Sequence, residues 1–447
     1  MTAISLVNAT VLDGTGAEPF RATVNIEGDR IVSVVPKSAV ASSAVVQASF
    51  QDPRPGATVI DCTGYTVMPG LTEAHCHISF NDIRSMNAVV AIQPEDHVLI
   101  SLKNAQMLME RGFTSLYSAA AAKPRLDVAV RDAIDGGMFD GPRIRAASQE
   151  ISPSGNLGDL NTNYLELPRS IAFTITCDGA DEFTREARLA ARDGVDNIKI
   201  NVSGDRDWGH MHADDTTTVI AEEEVAAVVA VARPRKLMVN AHCTSSEGVK
   251  MCVRQGVQVI YHAVHADEEA RDMLEAAMDR VFVAPALGLP ITMFREARDY
   301  GLKWSAERYR SLEKELETVQ ACMQDLKRRG VRVLPGGDYG AFITNPIGTN
   351  ARDLEHFVDF LGFSPMETIV AATKSGGELM QRGGELGQLR DGYLADLLIV
   401  RGDPLADIRI LQDHERIEAV MVGGRFTRNR LPAVGREVEM PGERRRA

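Results

Sequence analysis

Apolar and polar positions alternate along the N-terminal segment with a period of two. The runs SLVNATVLDG, ATVNIEGDRI and IVSVVP carry this alternation around Gly and Asp turns, which predicts a small antiparallel sheet. The same character returns in ADLLIVRGDP (395–404) and IEAVMVGGRFTR (417–428). Residues 1–66 and 391–447 are therefore expected to build one composite β-sandwich domain from both ends of the chain. Between them the pattern changes. Short β-branched or apolar runs alternate with amphipathic stretches of helical period, the mark of βα units around a parallel sheet.

Candidate strands fall at 67–77, 113–118, 143–149, 197–202, 237–242, 257–262, 280–285 and 331–338. The helices between them are well signalled: PEDHVLISLKNAQMLMERG closes on Gly112 and DEFTREARLAARDG on Gly194. Eight strands with crossover helices predict the α/β class and a (β/α)8 TIM-like barrel over 67–390. A doubly wound open sheet is the alternative, and the lack of a GxGxxG after any of these runs weighs against it. The connections 150–180, 203–220 and 285–303 are long, and in a barrel they would rise on the catalytic face. The charged stretch from Ser305 to Arg329 reads as a solvated helix.

The strand ends hold the chemistry. In LTEAHCHISF (71–80), His75 and His77 stand at i and i+2, so on a strand they share one face while Cys76 turns away. His242 ends the fifth candidate strand, His262 the sixth and Asp338 the eighth, and Lys199 lies in the fourth. A barrel gathers these positions at one mouth. Buried polar groups there must be paired or metal-bound. Four imidazoles and a carboxylate suit two divalent metal ions, Zn first, with Mn, Co or Fe as alternatives. Two cations would repel the Lys199 ammonium, and carboxylation of its amine by CO2 would turn it into a bridging carboxylate. A metal pair about 3.5–4 Å apart can hold a bridging water and polarise a carbonyl. Asp338 can ligate, accept that water's proton and pass it to a leaving amine. His265, on the same rim, is the next catalytic candidate.

In this order the residues MPG-LTEAHCH, Lys199, His242, His262 and Asp338 resemble the amidohydrolase superfamily in its binuclear form, which includes urease, dihydroorotase and phosphotriesterase. GYLADLLIVRGDPLADI (392–408) is similar to the family's closing β-sandwich segment. The resemblance implies that His75 and His77 serve one metal with Asp338, that His242 and His262 serve the other, and that carboxylated Lys199 bridges both. Within the superfamily the chain is similar to the imidazolonepropionase-related branch, which holds Xaa-Pro dipeptidases and amide, carbamate and phenylurea hydrolases. A C–N hydrolase acting through a metal-bridging hydroxide is the implied function. A dipeptidase or carboxypeptidase-type hydrolase and a cyclic-amidine deaminase are the alternatives. A scaffold that has lost its chemistry is the reading outside enzymes, and the intact residue set counts against it.

Two departures bear on substrate. Where the dipeptidases carry His-Gly-Asp after the third strand, this chain has SPSGNLGDL (152–160), with Asn156 and Leu157. Where they tend to have Glu on the sixth strand, it has Tyr261. Both turn the expectation away from a free α-carboxylate. The rim segments 285–304 and 339–346 supply Leu287, Met293, Phe294, Trp304, Tyr339 and Phe342, which suit an apolar acyl or aryl group. Tyr261, Leu287, Phe294, Tyr339 and Phe342 are the expected substrate contacts.

Charge and cysteine usage narrow the setting. A formal net charge of −13 argues against a nucleic-acid partner. The sequence has no run apolar enough to cross a bilayer and no basic-then-apolar leader. Six scattered cysteines without a CxxC read as reduced thiols of a cytoplasmic enzyme. The expected partner is a small-molecule substrate, and the expected state a homo-oligomer. A second His-x-His, His210 and His212 in GHMH (209–212), reads as a loop feature without a strand to align its rings.

Overall fold

The computed structural model describes residues 3–37, 53–205 and 214–431. The GHMH stretch with His210 and His212 and the basic C-terminal GERRRA lie outside the described residues.

The alternating segments at both ends form one eight-stranded sheet. Its path runs Arg425–Asn429, Ile417–Val422, Leu397–Arg401, Tyr65–Pro69, Ala3–Val11, Phe20–Glu27 and Arg30–Pro36, with Thr58–Asp61 paired alongside Ala3–Val11. Alternation gives each strand an apolar face, so Leu6, Val24, Ile26, Ile60, Val67, Leu397, Ile399 and Met421 pool into one buried cluster. The sheet curls back on itself, because the Ile31 N–H donates to the Tyr393 carbonyl at 2.8 Å and Arg30 bridges to Leu394.

The run expected as one strand at 67–77 is two. Tyr65–Pro69 belongs to the composite sheet, and Leu71–Cys76 begins the barrel. Gly70 turns the chain between them, and a Cβ there would stand 2.0 Å from Thr114 Oγ1, so a side chain does not fit the junction. The composite sheet thereby extends past residue 66 to Pro69.

The barrel strands follow in order: Leu71–Cys76, Phe113–Ser118, a third in two pieces (Arg143–Arg145 and Ala147–Ser152), Asn197–Asn201, Met238–Cys243, Val259–His262, Phe282–Ala284 and Arg332–Val333. Neighbours pair in parallel. At the break in the third strand the Ala121 N–H reaches the Ser148 carbonyl at 2.9 Å, and the Ala74 N–H closes the ring on the Pro335 carbonyl at 3.3 Å. This is a (β/α)8 barrel. The expected helices are present as Pro94–Glu110 and Ala180–Asp193.

Two expectations about the connections are corrected. Residues 285–303 carry a helix, Gly288–Glu296. The helix Ala306–Arg328 is not solvated all round: Leu312, Leu316, Val319, Met323 and Leu326 are buried. Those residues recur at helical spacing beneath a dense surface charge, so counting charges hid the apolar stripe.

Candidate metal centre

The strand ends deliver the expected residues to one cavity floor. Nε2 of His75 and of His77 lie 3.5 and 3.0 Å from Asp338 Oδ1. The His262 ring centre is 5.5 Å from that of His75 and 4.5 Å from that of His242. Ligand atoms of His75, His262 and Asp338 all fall within 4.8 Å of one another, close enough to share a cation. Lys199 is buried, with Nζ 4.0 Å from Glu150 Oε1 and 4.7 Å from the centre of the Tyr261 ring. Each of the six residues opens onto the same cavity.

Two of these positions depend on unusual backbone. The eighth ladder ends at Val333, so Asp338 stands beyond the strand that was expected to end with it. Gly336 and Gly337 let the chain continue inward, because a Cβ would meet the His75 backbone nitrogen at 2.7 Å from the first and the Tyr339 ring at 2.2 Å from the second. The Gly336 N–H donates to Asp353 Oδ2 and the Asn345 amide to the Gly337 carbonyl, both at 2.8 Å. Asp338 itself is left-handed, with φ 61°. His262 is too, with φ 71°. Val259 and Tyr261 face the barrel interior and Ile260 the outer layer, so plain alternation would send His262 outward. The left-handed turn brings its ring back to the mouth. Such backbone strain is held by the surrounding structure and concentrates at functional sites.

Burial pushes the His75, His242 and His262 imidazoles down, His262 to about 4, so the rings are neutral at physiological pH. Burial also lowers the Lys199 amine. For Asp338 burial favours protonation, but the neighbouring His75 and His77 outweigh it and hold the carboxyl well below the usual range. Neutral imidazole and ionised carboxylate are the forms that bind a cation. His242 Nε2 is buried without a hydrogen-bond partner, and Asp338 Oδ1 is buried against the His75 and His77 Nε2 atoms. Nitrogen and oxygen donors of this kind fit a divalent metal. Behind them, His77 Nδ1 lies 3.3 Å from the Ala120 carbonyl, and a backbone hydrogen bond at Gly204 orients His242.

Above the floor the cavity encloses about 1140 Å³, including its open mouth. One wall is Phe80, Ile83, Met86, Leu157 and Phe173; the other is Leu289, Pro290, Met293, Leu312 and Val319. Arg308, Glu315, Asp205 and Asp215 bring charge to the lining.

The expected substrate contacts fall elsewhere. Tyr261 is buried in the barrel interior, its ring stacked 3.8 Å from His75 and its hydroxyl bonded to Asn240 and the Ala74 carbonyl, so it supports the floor from below. Leu287 and Phe294 lie off the cavity because the helix Gly288–Glu296 presents Leu289 and Met293 to it instead. Phe294 packs edge-on against Tyr309, and Trp304 also packs against Tyr309. Tyr339 is wedged against Gly288 and Gly337, and Phe342 is buried, while Ala341 between them reaches the lining. Of the expected rim residues, Met293 is on the cavity surface. His265 stands back from it, with Nε2 2.8 Å from Oδ2 of the lining residue Asp215.

Several lining residues escaped the sequence reading. Glu150 accepts from Thr174 and Asn201 beside Lys199, and a strand drawn to end at Gln149 stopped one residue short of it. Phe80, Ile83 and Met86 follow the first strand directly, in a connection as informative as the three that were weighed.

Residues 66–427 match the sequence profile of the amidohydrolase family. Ochratoxinase of Aspergillus niger is 24% identical over 450 aligned residues, spanning 97% of this chain and 88% of that protein. Its crystal structure superimposes with a TM-score of 0.80 at 21% identity, over 96% of each chain. A Xaa-Pro dipeptidase with methionine bound in its active site gives 0.81 at 23% identity, over 96% of this chain and 100% of that one. Phenylurea hydrolase B gives 0.74 at 21% identity, over 97% and 99%. At these identities the superpositions speak for the fold.

Proposed function

This chain belongs to the amidohydrolase family, and from that premise we propose a binuclear metal-dependent hydrolase that cleaves a neutral aryl or alkyl amide, carbamate or urea. Its membership makes it a hydrolase of C–N bonds; the metal pair and the substrate class are the proposal. The observation that carries it is the floor: four imidazoles, Asp338 and buried Lys199 converging beneath two apolar walls. The known activities of ochratoxinase and phenylurea hydrolase B are in keeping with it.

In this reading His75, His77 and Asp338 would hold one divalent ion and His242 and His262 a second, with Lys199, carboxylated by CO2, serving both sets. Zinc suits the donors best. When bound there, the metals supply Lewis acidity to the scissile carbonyl and acidify a water. Asp338, ionised and on the cavity floor, would accept the water's proton and return it to the departing nitrogen. The apolar walls hold the acyl or aryl group and exclude water from the reacting carbonyl. Six cysteines, all free and buried, support a reducing, cytoplasmic setting.

A dipeptidase or carboxypeptidase-type reading has two observations in its favour: Arg308 lines the cavity and could meet a carboxylate, and a Xaa-Pro dipeptidase superimposes as well as ochratoxinase does. Against it, Leu157 lines the cavity in the stretch where the dipeptidases carry a histidine. The test is a matched pair, an N-aryl amide and an acyl-proline of similar size. The aryl amide should have the higher kcat/KM, and an acyl-proline preference of about tenfold or more replaces this reading. Lys199→Ala should lose metal and activity together, with partial rescue by added short carboxylates. Mass or density data for an unmodified amine in fully active enzyme would count against carboxylation.

A further inference from the structure

The connection after the first strand carries Phe80, Ile83 and Met86 to one cavity wall. Phe80 also stacks on His77, with ring centres 3.9 Å apart, and leans on Phe173 at 4.6 Å. These residues belong to a small apolar cluster with Ala120, Ala122, Leu126 and Phe173, set apart from the main core. A buried polar knot ties the same segment. Lys123, 1% exposed at the mouth end of the second strand, donates from Nζ to the Val89 carbonyl at 2.7 Å, the Ile92 carbonyl at 2.8 Å and His97 Nδ1 at 3.1 Å. With Nδ1 accepting, the His97 Nε2–H donates to the Ser79 carbonyl at 2.5 Å. Ser79 Oγ in turn accepts from the Ala122 N–H at 2.9 Å. The wall segment is thus gripped at Ser79 on one side and at Val89 and Ile92 on the other. The far edge has separate ties, from the Asp82 N–H to the Gly340 carbonyl and from the Ile347 N–H to Asp82 Oδ1.

A lysine is an expensive choice for this position. Burying an ammonium against neutral acceptors is unfavourable, and an apolar side chain would fill the space at less cost. What it provides is three donors converging from one point on groups that no apolar residue could gather. We propose that Lys123 is a positioning residue for substrate specificity: through His97, Val89 and Ile92 it sets the place of the Phe80–Ile83–Met86 wall, and with it the size of apolar group the cavity accepts. This rests on the proposed reading only in taking the cavity as the substrate site.

The experiment compares wild type with Lys123→Met, which keeps length and removes every donor. Two amides differing only in a bulky aryl against a methyl acyl group serve as substrates. The expected result is a KM for the aryl amide raised about tenfold, with kcat/KM for the methyl amide within about twofold of wild type and bound metal unchanged. An equal fall for both amides, a loss of metal, or no change at all overturns it. His97→Gln, which keeps an acceptor and a donor, should shift the same KM by less and serves if Lys123→Met does not fold. Deuterium exchange needs no turnover. Amides of 79–92 should exchange faster in the variant while those of 71–76 do not, and unchanged rates in 79–92 overturn the proposal. If wild type cleaves neither amide, the proposed substrate class fails, and the exchange result still decides the role of Lys123.

Discussion

The floor of the cavity and its walls are held by different means. Floor residues project from barrel strands or from the short segment just past them, and neighbouring ladders fix their spacing. Where a ladder alone would misplace a ring or carboxylate, as at His262 and Asp338, left-handed backbone re-aims it. The walls come from connections and from the faces of Gly288–Glu296 and Ala306–Arg328, joined by side chain to backbone bonds and apolar contact. A floor built this way tolerates little change without losing its chemistry. Walls built this way rest on fewer ladder hydrogen bonds, so substitutions there should alter which apolar group the cavity accepts.

The largest expected effect separates the two directly. Chelation should lower activity by roughly 10³-fold or more, restored by adding back a divalent metal. Elemental analysis of active protein should approach two metals per chain, as the proposed ligand sets require; one or none breaks the binuclear floor. Next, Asp338→Asn should lower kcat by roughly 10²–10⁴-fold while KM moves much less. A change under about tenfold with metal retained shifts proton transfer to another group. On the wall, Met293→Ala removes apolar contact without touching the floor residues. KM for an aryl substrate should rise by about three- to tenfold with kcat nearly unchanged. A kcat loss as large as that of Asp338→Asn would erase the distinction between floor and wall.

The smallest effect concerns the knot behind the wall. Burial pushes His97 down to about 4 from its usual value of 6.5. Above the usual value the ring is neutral in folded and unfolded chains alike, and its contribution is fully present. Between the two values the unfolded chain binds more protons, so stability falls as pH drops through that window. Urea midpoints measured on both proteins at neutral pH and near pH 5 should show a smaller acid loss for His97→Gln, by on the order of 1 kcal/mol. Parallel loss in the two proteins would mean that His97 is not buried as a neutral ring.

Residue order carried the parts of this molecule that repeat locally. Period-two alternation, helix stops at Gly112 and Gly194, and histidines placed at strand ends are properties of short segments, so the barrel and its floor could be anticipated from them. Element edges were less legible. A strand ending at Gln149 concealed Glu150, and one run over 67–77 concealed the turn at Gly70, because the clash with Thr114 exists only once distant segments pack. The wall was legible only in part: the segment 285–304 was expected at the rim and Met293 lines the cavity, but the other rim residues named in advance do not. Whether Met293 or Phe294 faces the cavity depends on the rotation of a helix against the barrel, and Tyr261 and Tyr339 look like rim residues until packing buries them under His75 and between glycines. Lys123 reads as an ordinary surface lysine beside a proline. Its three acceptors come from residues 89, 92 and 97, and only the folded chain brings them to one nitrogen.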